Sequence, residues 1–277
     1  MKKVAGVLTY ALLAIAAGVP ADAADSLPVW AYPVNPPGLK PAPDDGASKH
    51  VPNSAAAYTL TQIRDLFSPP DWHPDNHPSM PDVVARGSKP GQFACGYCHL
   101  PNGLGRPENS SLAGLPAAYI VQQVADFKSG ARKSSEPASL PINLMVAVAQ
   151  LVSDEDARIA AEYFASLKPA PWIRVVETDT VPKTKVGGWM LIADGSGTEP
   201  IGQRIIEMPE NLERTELRDS ASGFIAYVPV GSLRKGEALI TNGAGKTTPC
   251  AICHGTELKG LGPVPALAGR SPSYIAR

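Results

Sequence analysis

Apolar residues recur at helical spacing in the middle of the chain. In residues 116–129 they include Ile120, Val124 and Phe127, a spacing of three to four that places them on one face of a helix. A proline stands in the first turn and Gly130 follows the last, as is usual at the two ends of a helix. The pattern therefore predicts an amphipathic helix over residues 116–129.

A second amphipathic helix is predicted over residues 154–167. Ser153 and Asp156 resemble a capping box, with Asp in the place usually taken by Glu. Shorter helices are predicted over residues 55–67, 82–86 and 145–152, and a further helix is predicted to be capped by Ser232. The chain is thus predicted to be mainly α.

Residues 172–231 follow a different pattern, which predicts a small β-rich connector. Gly, Pro and Asp separate four short runs of β-forming residues, at 173–177, 189–193, 204–208 and 224–228. Residues 24–80 differ again, because 12 of the 29 prolines fall between Pro28 and Pro81. This density disfavours helices and central strands, so we expect extended chain lying on the domain that follows.

All four cysteines lie in two copies of one short motif. The copies are Cys95-Gly-Tyr-Cys98-His99 and Cys250-Ala-Ile-Cys253-His254. Two thiols at this spacing can add to the two vinyl groups of a porphyrin, and the adjacent His then supplies an axial nitrogen to the iron. The sequence therefore predicts two covalently bound haem c groups.

A Cys-x-x-Cys pair can also be a thioredoxin-like dithiol, a structural zinc site or a disulfide. A zinc site built from both pairs would use four cysteines, but it would leave His99 and His254 unexplained. The haem interpretation accounts for all six residues.

The chain repeats itself, with Cys250 following Cys95 by 155 residues. At the same offset Leu112-Ala113-Gly114 matches Leu267-Ala268-Gly269, Tyr119-Ile120 matches Tyr274-Ile275, and Gly105 matches Gly260. The repeat predicts a duplicated haem domain.

The N-terminus has the features of a secretory signal peptide. Lys2 and Lys3 precede an uncharged apolar run, and a small-x-small cleavage site ends at Ala23, so residues 1–23 are predicted to be removed. An uncleaved anchor is the alternative, although the apolar run is short for a membrane span. We expect a soluble bacterial periplasmic protein with no transmembrane segment after cleavage.

Composition excludes several classes of protein. The 25 basic and 26 acidic residues give a formal net charge of −1, so nothing favours a nucleic-acid partner. A hydrophobic content of 44% allows a packed core, whereas 29 Pro and 25 Gly argue against a long helical bundle.

The order of motifs around the first CxxCH resembles that of class I bacterial cytochromes c. After His99 come Leu-Ala-Gly, Tyr-Ile, Phe-Lys-Ser-Gly-Ala-Arg, a Met and Leu-Val-Ser-Asp-Glu-Asp. The paired arrangement is similar to the dihaem cytochrome c4 type, over residues 81–170 and part of 232–277. The resemblance implies all-α haem domains and a role in electron transfer.

Members of that class use a Met thioether as the sixth iron ligand. The resemblance implies that Met145, which lies 46 residues after His99, fills this role. Met80, Met190 and Met208 are the other candidates of the mature chain. A Met in an apolar run is often core filler, so a core role for Met145 stays open.

The second haem lacks a Met partner in this sequence. The repeat places one at roughly position 300, beyond Arg277, so the chain is expected to be truncated at its C-terminus. His254 is then the one predicted axial ligand of that haem.

Six further residues are open to more than one role. Arg106 and Arg132 can pair with haem propionates, and Tyr119 and Tyr274 can contact a haem or belong to the core. His73 and His77 are four residues apart, as in helical metal sites, but a proline follows each of them. A structural role in the Pro-rich extension is therefore favoured for both histidines.

The predicted organisation has five segments. They are a signal peptide (1–23), a Pro-rich extension (24–80), a first class I haem domain (81–171), a β-rich connector (172–231) and an incomplete second haem domain (232–277). We expect a dihaem electron carrier between redox proteins, such as a dehydrogenase, an oxidase or another cytochrome, or the cytochrome subunit of a dehydrogenase or oxidase chain. We do not expect an enzyme. The alternative is a dihaem enzyme, either a peroxidase or a thiosulfate-oxidising cytochrome.

Overall fold

The computed structural model describes residues 27–277, so the predicted signal peptide lies outside the described residues. This part of the chain forms ten α-helices and five strands. The helices are α1 (Leu60–Ile63), α2 (Asp82–Ala85), α3 (Cys95–His99), α4 (Ala117–Ser129), α5 (Leu140–Leu151), α6 (Asp154–Ser166), α7 (Leu212–Glu216), α8 (Ser232–Asn242), α9 (Cys250–His254) and α10 (Pro272–Ala276). The strands are β1 (Ile173–Glu177), β2 (Thr180–Gly187), β3 (Met190–Pro200), β4 (Ile206–Pro209) and β5 (Phe224–Val228).

The Pro-rich extension is mostly irregular, as its composition predicts. Helix α1 is the one α-helix in residues 27–80 and is shorter than the predicted 55–67; a complete capping box joins Thr59 and Gln62. The backbone N–H of Gly87 donates to the carbonyl of Phe67 at 2.8 Å, which ties the extension to the loop before the first CxxCH. The extension also packs against residues much later in the chain, since Trp72 is buried with Leu217.

Helices α4 and α6 form where the apolar periodicity predicts them. Gly130, in the left-handed conformation, ends α4, and the hydroxyl oxygen of Ser153 accepts from the Asp156 N–H at 3.0 Å at the start of α6. Their apolar faces meet in the largest core, which contains Ile120 and Phe164.

The predicted start of the helix containing Met145 is wrong. The Ser- and Pro-rich residues before it suggested a loop, but α5 begins at Leu140, with Ser139 as its N-cap. Pro141 stands in the first turn, where a missing N–H costs no helical hydrogen bond. Met145 therefore lies in the middle of a helix.

Residues 172–231 contain two sheets. In the first, β5 lies between a parallel β1 and an antiparallel β4, and β2 and β3 form a separate antiparallel pair. Strand β2 was not predicted, because Pro182 and its flanking residues break the alternation, and a register shift occurs between Pro182 and Thr184. Helix α7 was also missed, although Asn211 caps it.

This β-rich segment shares its core with the helices around the first CxxCH. Trp172, Met190 and Phe224 are buried in the same cluster as Phe164. The Trp172 and Phe224 rings meet edge to face with centroids 5.6 Å apart. The segment is therefore packed on those helices by apolar side chains.

Helix α8 begins at Ser232, but the prediction that Ser232 caps it is wrong. Gly231 is the N-cap, with φ of 88°, and the first-turn N–H of Leu233 donates to the Glu177 carboxylate at 2.8 Å instead of to Ser232. Because the chain turns at Gly231, Ser232 falls inside the first helical turn. Every residue of α8 is at least partly exposed.

Within residues 27–277, no helix combines the length and the apolar character that crossing a bilayer requires.

Candidate functional site

The first CxxCH motif forms the short helix α3, and its backbone packs closely on α2. A Cβ atom on Gly96 would lie 2.8 Å from the Val84 carbonyl oxygen, so a residue without a side chain is needed there. Leu100, with φ of 63°, ends the helix directly after His99. This local geometry places the two thiols and the imidazole within a single helix of five residues.

An apolar cleft opens beside this helix. Its walls come from α3, α4, α5 and α6, and they include Cys95, Cys98, His99, Tyr119, Ile120, Val124, Phe127, Met145, Val148, Ala160 and Phe164. The structure thus brings together the four residues that were predicted to bind the first haem. The positions of Cys95, Cys98 and Met145 along the chain did not by themselves require these side chains to line the same cavity.

Burial disfavours the thiolate form of both cysteines in the cleft. Burial raises the pKa of Cys95 to about 12, and burial also raises the pKa of Cys98. All four cysteines of the chain are free of disulfides. Neutral, buried thiols in an apolar cleft fit a site in which sulfur is to form thioether bonds.

His99 is held in one tautomer. Its Nδ1 lies 2.8 Å from the Ser110 carbonyl oxygen, and since a carbonyl can only accept, Nδ1 carries the hydrogen. The lone pair is then on Nε2, the atom available to a metal. Burial lowers the pKa of His99, which favours the neutral ligand form.

Met145 is the one methionine of residues 27–277 that lines the cleft. Met190 is 2% exposed, and its sulfur lies 3.4 Å from the guanidinium of Arg106. Met208 is buried in β4, and Met80 packs against the main core. The position of Met145 keeps it as the candidate methionine ligand of a haem in this cleft.

The structure separates the two candidate arginines. Arg132 lines the cleft, where its guanidinium donates to Gln123 at 2.6 Å and to the Tyr274 hydroxyl at 2.8 Å. Arg106 is buried outside it, in an ion pair with Glu108 at 2.7 Å. Arg132 is therefore the better candidate to meet a carboxylate of a bound haem.

Tyr119 and Tyr274 both line the first cleft. The repeat had assigned Tyr274 to the surroundings of the second motif. The chain folds back instead, so that α10 contributes a wall to the first cleft. The Arg270 guanidinium supports this arrangement, because it donates to the Ser111 carbonyl at 2.6 Å.

The second CxxCH motif reproduces the first at the level of the backbone. Nδ1 of His254 lies 2.8 Å from the Pro265 carbonyl, and the Gly260 N–H donates to the His254 carbonyl at 2.9 Å. The matching bonds at the first motif are from His99 to Ser110 and from Gly105 to His99, at the same 155-residue offset. The duplication is thus visible in hydrogen bonds as well as in sequence.

The surroundings of the two motifs differ. Tyr97, between the first pair of cysteines, is 7% exposed, whereas Ile252, between the second pair, is 64% exposed. Cys253 is exposed too. The residues that would attach a second haem are present and oriented, but their apolar neighbours face outward.

The two histidines of the extension are engaged in polar contacts away from the cleft. Nε2 of His73 lies 2.9 Å from the Asp219 carboxylate, and Nε2 of His77 lies 3.1 Å from that of Asp71. In the described part of the chain, no three His, Cys, Asp or Glu side chains converge as a metal site would require. These contacts fit the structural role that the two prolines suggested.

Two groups that contact the first motif are not predicted by the sequence. The first is the backbone carbonyl of Ser110. The 155-residue repeat, which places Pro265 at the matching position, is the one sequence signal for it. Arg218 lies more than a hundred residues from the motif, yet it donates to the Tyr97 carbonyl at 2.8 Å. Nothing in its sequence context marks this contact.

No family model matches the chain. A curated relative, the "Thiosulfate dehydrogenase electron acceptor" of Stutzerimonas stutzeri (strain A1501), is 35% identical over 74 residues, which are 26% of this chain and 32% of the relative. The chain therefore spans about a third of the length of the curated relative that it matches.

Three solved structures are also similar. Thiosulfate dehydrogenase (TsdBA) from Marichromatium purpuratum is 22% identical, with coverage of 66% of this chain and 28% of that one and a TM-score of 0.38. Acidithiobacillus ferrooxidans cytochrome c4 is 21% identical, with coverage of 65% and 75% and a TM-score of 0.39. Cytochrome c4 from Pseudomonas stutzeri is 33% identical, with coverage of 28% and 40% and a TM-score of 0.25.

The match to the curated electron acceptor confirms the predicted resemblance to dihaem c-type cytochromes of class I.

Proposed function

We propose that this chain is an exported electron carrier that holds covalent haem c at both CxxCH motifs. The observation that carries the proposal is the apolar cleft in which Cys95, Cys98, His99 and Met145 meet. Cys250, Cys253 and His254 are proposed to hold the second haem. The segments 81–171, 172–231 and 232–277 are proposed as first haem domain, connector and part of a second haem domain.

A haem bound in the cleft supplies one-electron chemistry. The chain's residues set the conditions for it. With a haem in the cleft, Phe164 and the apolar faces of α4 and α5 would keep water from it, and the Met145 thioether would supply a soft, neutral ligand that favours the reduced state. The Ser110 carbonyl holds the His99 ring in place. Such an environment suits the repeated gain and loss of an electron at a protected centre.

The partner is proposed to be another redox protein. The curated relative is named an electron acceptor of thiosulfate dehydrogenase, which makes a dehydrogenase a reasonable electron donor for this chain as well. Export to the periplasm accords with the N-terminal signal pattern and with covalent haem attachment. No catalytic base or substrate pocket is required for this role.

Haem content is the first test. The full chain is expressed in a host with a cytochrome c maturation system, and haem per chain is measured by intact mass and by the pyridine haemochrome. We expect two haems, and one haem in either double variant, Cys95→Ala with Cys98→Ala or Cys250→Ala with Cys253→Ala. A loaded chain in which neither pair of substitutions lowers the haem count would contradict the proposal.

Electron transfer is the second test. We expect the oxidised chain to be reduced by a thiosulfate dehydrogenase plus thiosulfate, and to remain oxidised with thiosulfate alone. Rapid reduction by thiosulfate alone would instead support the enzyme alternative, and peroxide turnover by the reduced chain would support the peroxidase.

A further inference from the structure

Arg218 stacks on the residue between the two cysteines of the first motif. Its guanidinium carbon lies 3.6 Å from the centroid of the Tyr97 ring, and one of its nitrogens donates to the Tyr97 carbonyl at 2.8 Å. A planar guanidinium suits both contacts at once, because it can stack and hydrogen-bond simultaneously. The β-rich segment thereby places a cation directly on α3.

The position of this cation is fixed from two sides. On one side, the Trp72 indole N–H donates to the Leu217 carbonyl at 2.8 Å and His73 contacts Asp219 at 2.9 Å. On the other, the Asn102 side chain donates to the Ser220 carbonyl at 2.7 Å.

Arg218 itself has a positive φ of 57°, which is unfavourable for a residue with a side chain. Such a conformation persists when the surrounding contacts determine it, and it is often found at functional sites.

The charge of Arg218 is not balanced by a neighbouring carboxylate. No Asp or Glu of residues 27–277 forms an ion pair with it. The other cation near Cys98 is Arg106, and that one is paired with Glu108 at 2.7 Å. Arg218, Arg106 and Glu108 together therefore produce a positive electrostatic potential at Cys98.

We infer that Arg218 is a positioning residue for the first haem. Its fixed positive charge raises the reduction potential of that haem. This inference rests on the proposed function, because it requires a haem at Cys95 and Cys98. The oxidised iron carries one more positive charge than the reduced iron, so a nearby cation disfavours oxidation. A half-buried, stacked cation is also screened less by salt than an exposed one.

The test is a redox titration of the full, haem-loaded chain. Arg218→Gln and Arg218→Asn both remove the charge, and Asn tolerates the positive φ better than most residues, so at least one of them should fold. For either, we expect the reduction equilibrium of the first haem to shift toward the oxidised form by about three- to tenfold, where tenfold corresponds to about 59 mV. The first haem is identified by comparison with the Cys250→Ala, Cys253→Ala variant.

Two further variants separate charge from packing. Arg218→Lys keeps the charge and loses the stacked plane, so it should retain most of the wild-type potential. Arg86→Gln removes the same charge from the residue that follows α2, at a side chain that is 78% exposed, and it should leave the potential unchanged. An unchanged potential in Arg218→Gln and Arg218→Asn, or equal shifts in the Lys and Gln variants, would overturn the inference.

Failure of the proposed function would look different. A chain that takes up no haem at Cys95 and Cys98 overturns the proposed function and this inference with it. A chain with a normal haem content and spectrum whose potential ignores Arg218 overturns the inference alone.

Discussion

Met145 is the residue whose substitution most directly tests the first site. In Met145→Ala the sulfur is lost from the cleft wall, so we expect the weak long-wavelength absorption of Met-ligated Fe(III) to disappear and the first haem to become high-spin or water-ligated. Met190→Leu is the matched control, since Met190 is buried outside the cleft. If the band survives in Met145→Ala, the side chain is only part of the core.

At this scale, the sequence indicated residues that line the first cleft, but not the groups that contact them. The cysteines and histidines follow from one motif, and Met145 follows from motif order in a resembling class. The Ser110 carbonyl and the Arg218 guanidinium could not be predicted. The first is a backbone atom, and the second reaches α3 only through tertiary packing.

The ring of His77 makes contacts that fit its charged form. Nδ1 faces the Pro78 carbonyl at 2.9 Å and Nε2 faces the Asp71 carboxylate at 3.1 Å, so both nitrogens act as donors. The hydrogen bond to Asp71 raises the pKa of His77, although burial opposes it. Protonated His77 therefore stabilises the folded chain.

The sign of the resulting pH dependence follows from linkage. Because the folded-state pKa lies above the unfolded one, the stabilisation is complete below the unfolded pKa and is lost as pH rises through the folded pKa. Between about pH 6 and about pH 8, Tm of the wild type should fall more than that of His77→Gln. Asp45→Asn, at an exposed ion pair, should keep the wild-type slope. Parallel Tm curves for wild type and His77→Gln would rule this out.

At the scale of elements, helix ends with side-chain signals were predicted well. Gly130 ends α4, and the Ser153 hydroxyl accepts from the Asp156 N–H, as their sequence positions indicate. Ser232 is also a residue type that commonly caps helices, but it does not cap α8. The preceding Gly231 adopts a left-handed conformation and takes the N-cap position. Helix α7 and strand β2 lacked a usable periodicity, and tertiary packing determined them.

These two serines give a matched pair of substitutions. Ser153→Ala removes the hydroxyl acceptor from the first turn of α6 and should lower the free energy of unfolding by about 1 kcal/mol. Ser232→Ala removes no capping bond and should stay within about 0.5 kcal/mol of the wild type. Urea denaturation of the haem-loaded chain measures both, and equal effects of the two substitutions would contradict the assignment of caps.

At the scale of the whole molecule, the chain is held together by contacts between distant segments. The extension reaches the β-rich segment through Trp72 and His73, and the β-rich segment reaches α3 through Arg218. Tyr97, which Arg218 covers, corresponds to Ile252 at the 155-residue offset, and Ile252 is 64% exposed. The repeat therefore predicts the backbone of both motifs, but it says nothing of the packing that distinguishes them.

Asp219 is the centre of this packing. Its carboxylate, fully buried, accepts from Nε2 of His73 at 2.9 Å and from the Arg214 guanidinium at 2.7 Å. Asp219→Asn keeps the volume but removes the charge, and the loss of charge-assisted hydrogen bonds should lower the free energy of unfolding by about 1.5–3 kcal/mol. Urea denaturation of the haem-loaded chain measures this change.

The same substitution should also loosen the extension, because His73 loses the charged acceptor that anchors it. Limited proteolysis should then cut residues 27–81 faster in Asp219→Asn than in the wild type. Asp194→Asn, which changes an exposed Asp in β3, should affect neither measurement. If the extension of Asp219→Asn resists protease as well as that of the wild type, then the Trp72 indole and the apolar contacts around it hold the extension without the ion pair.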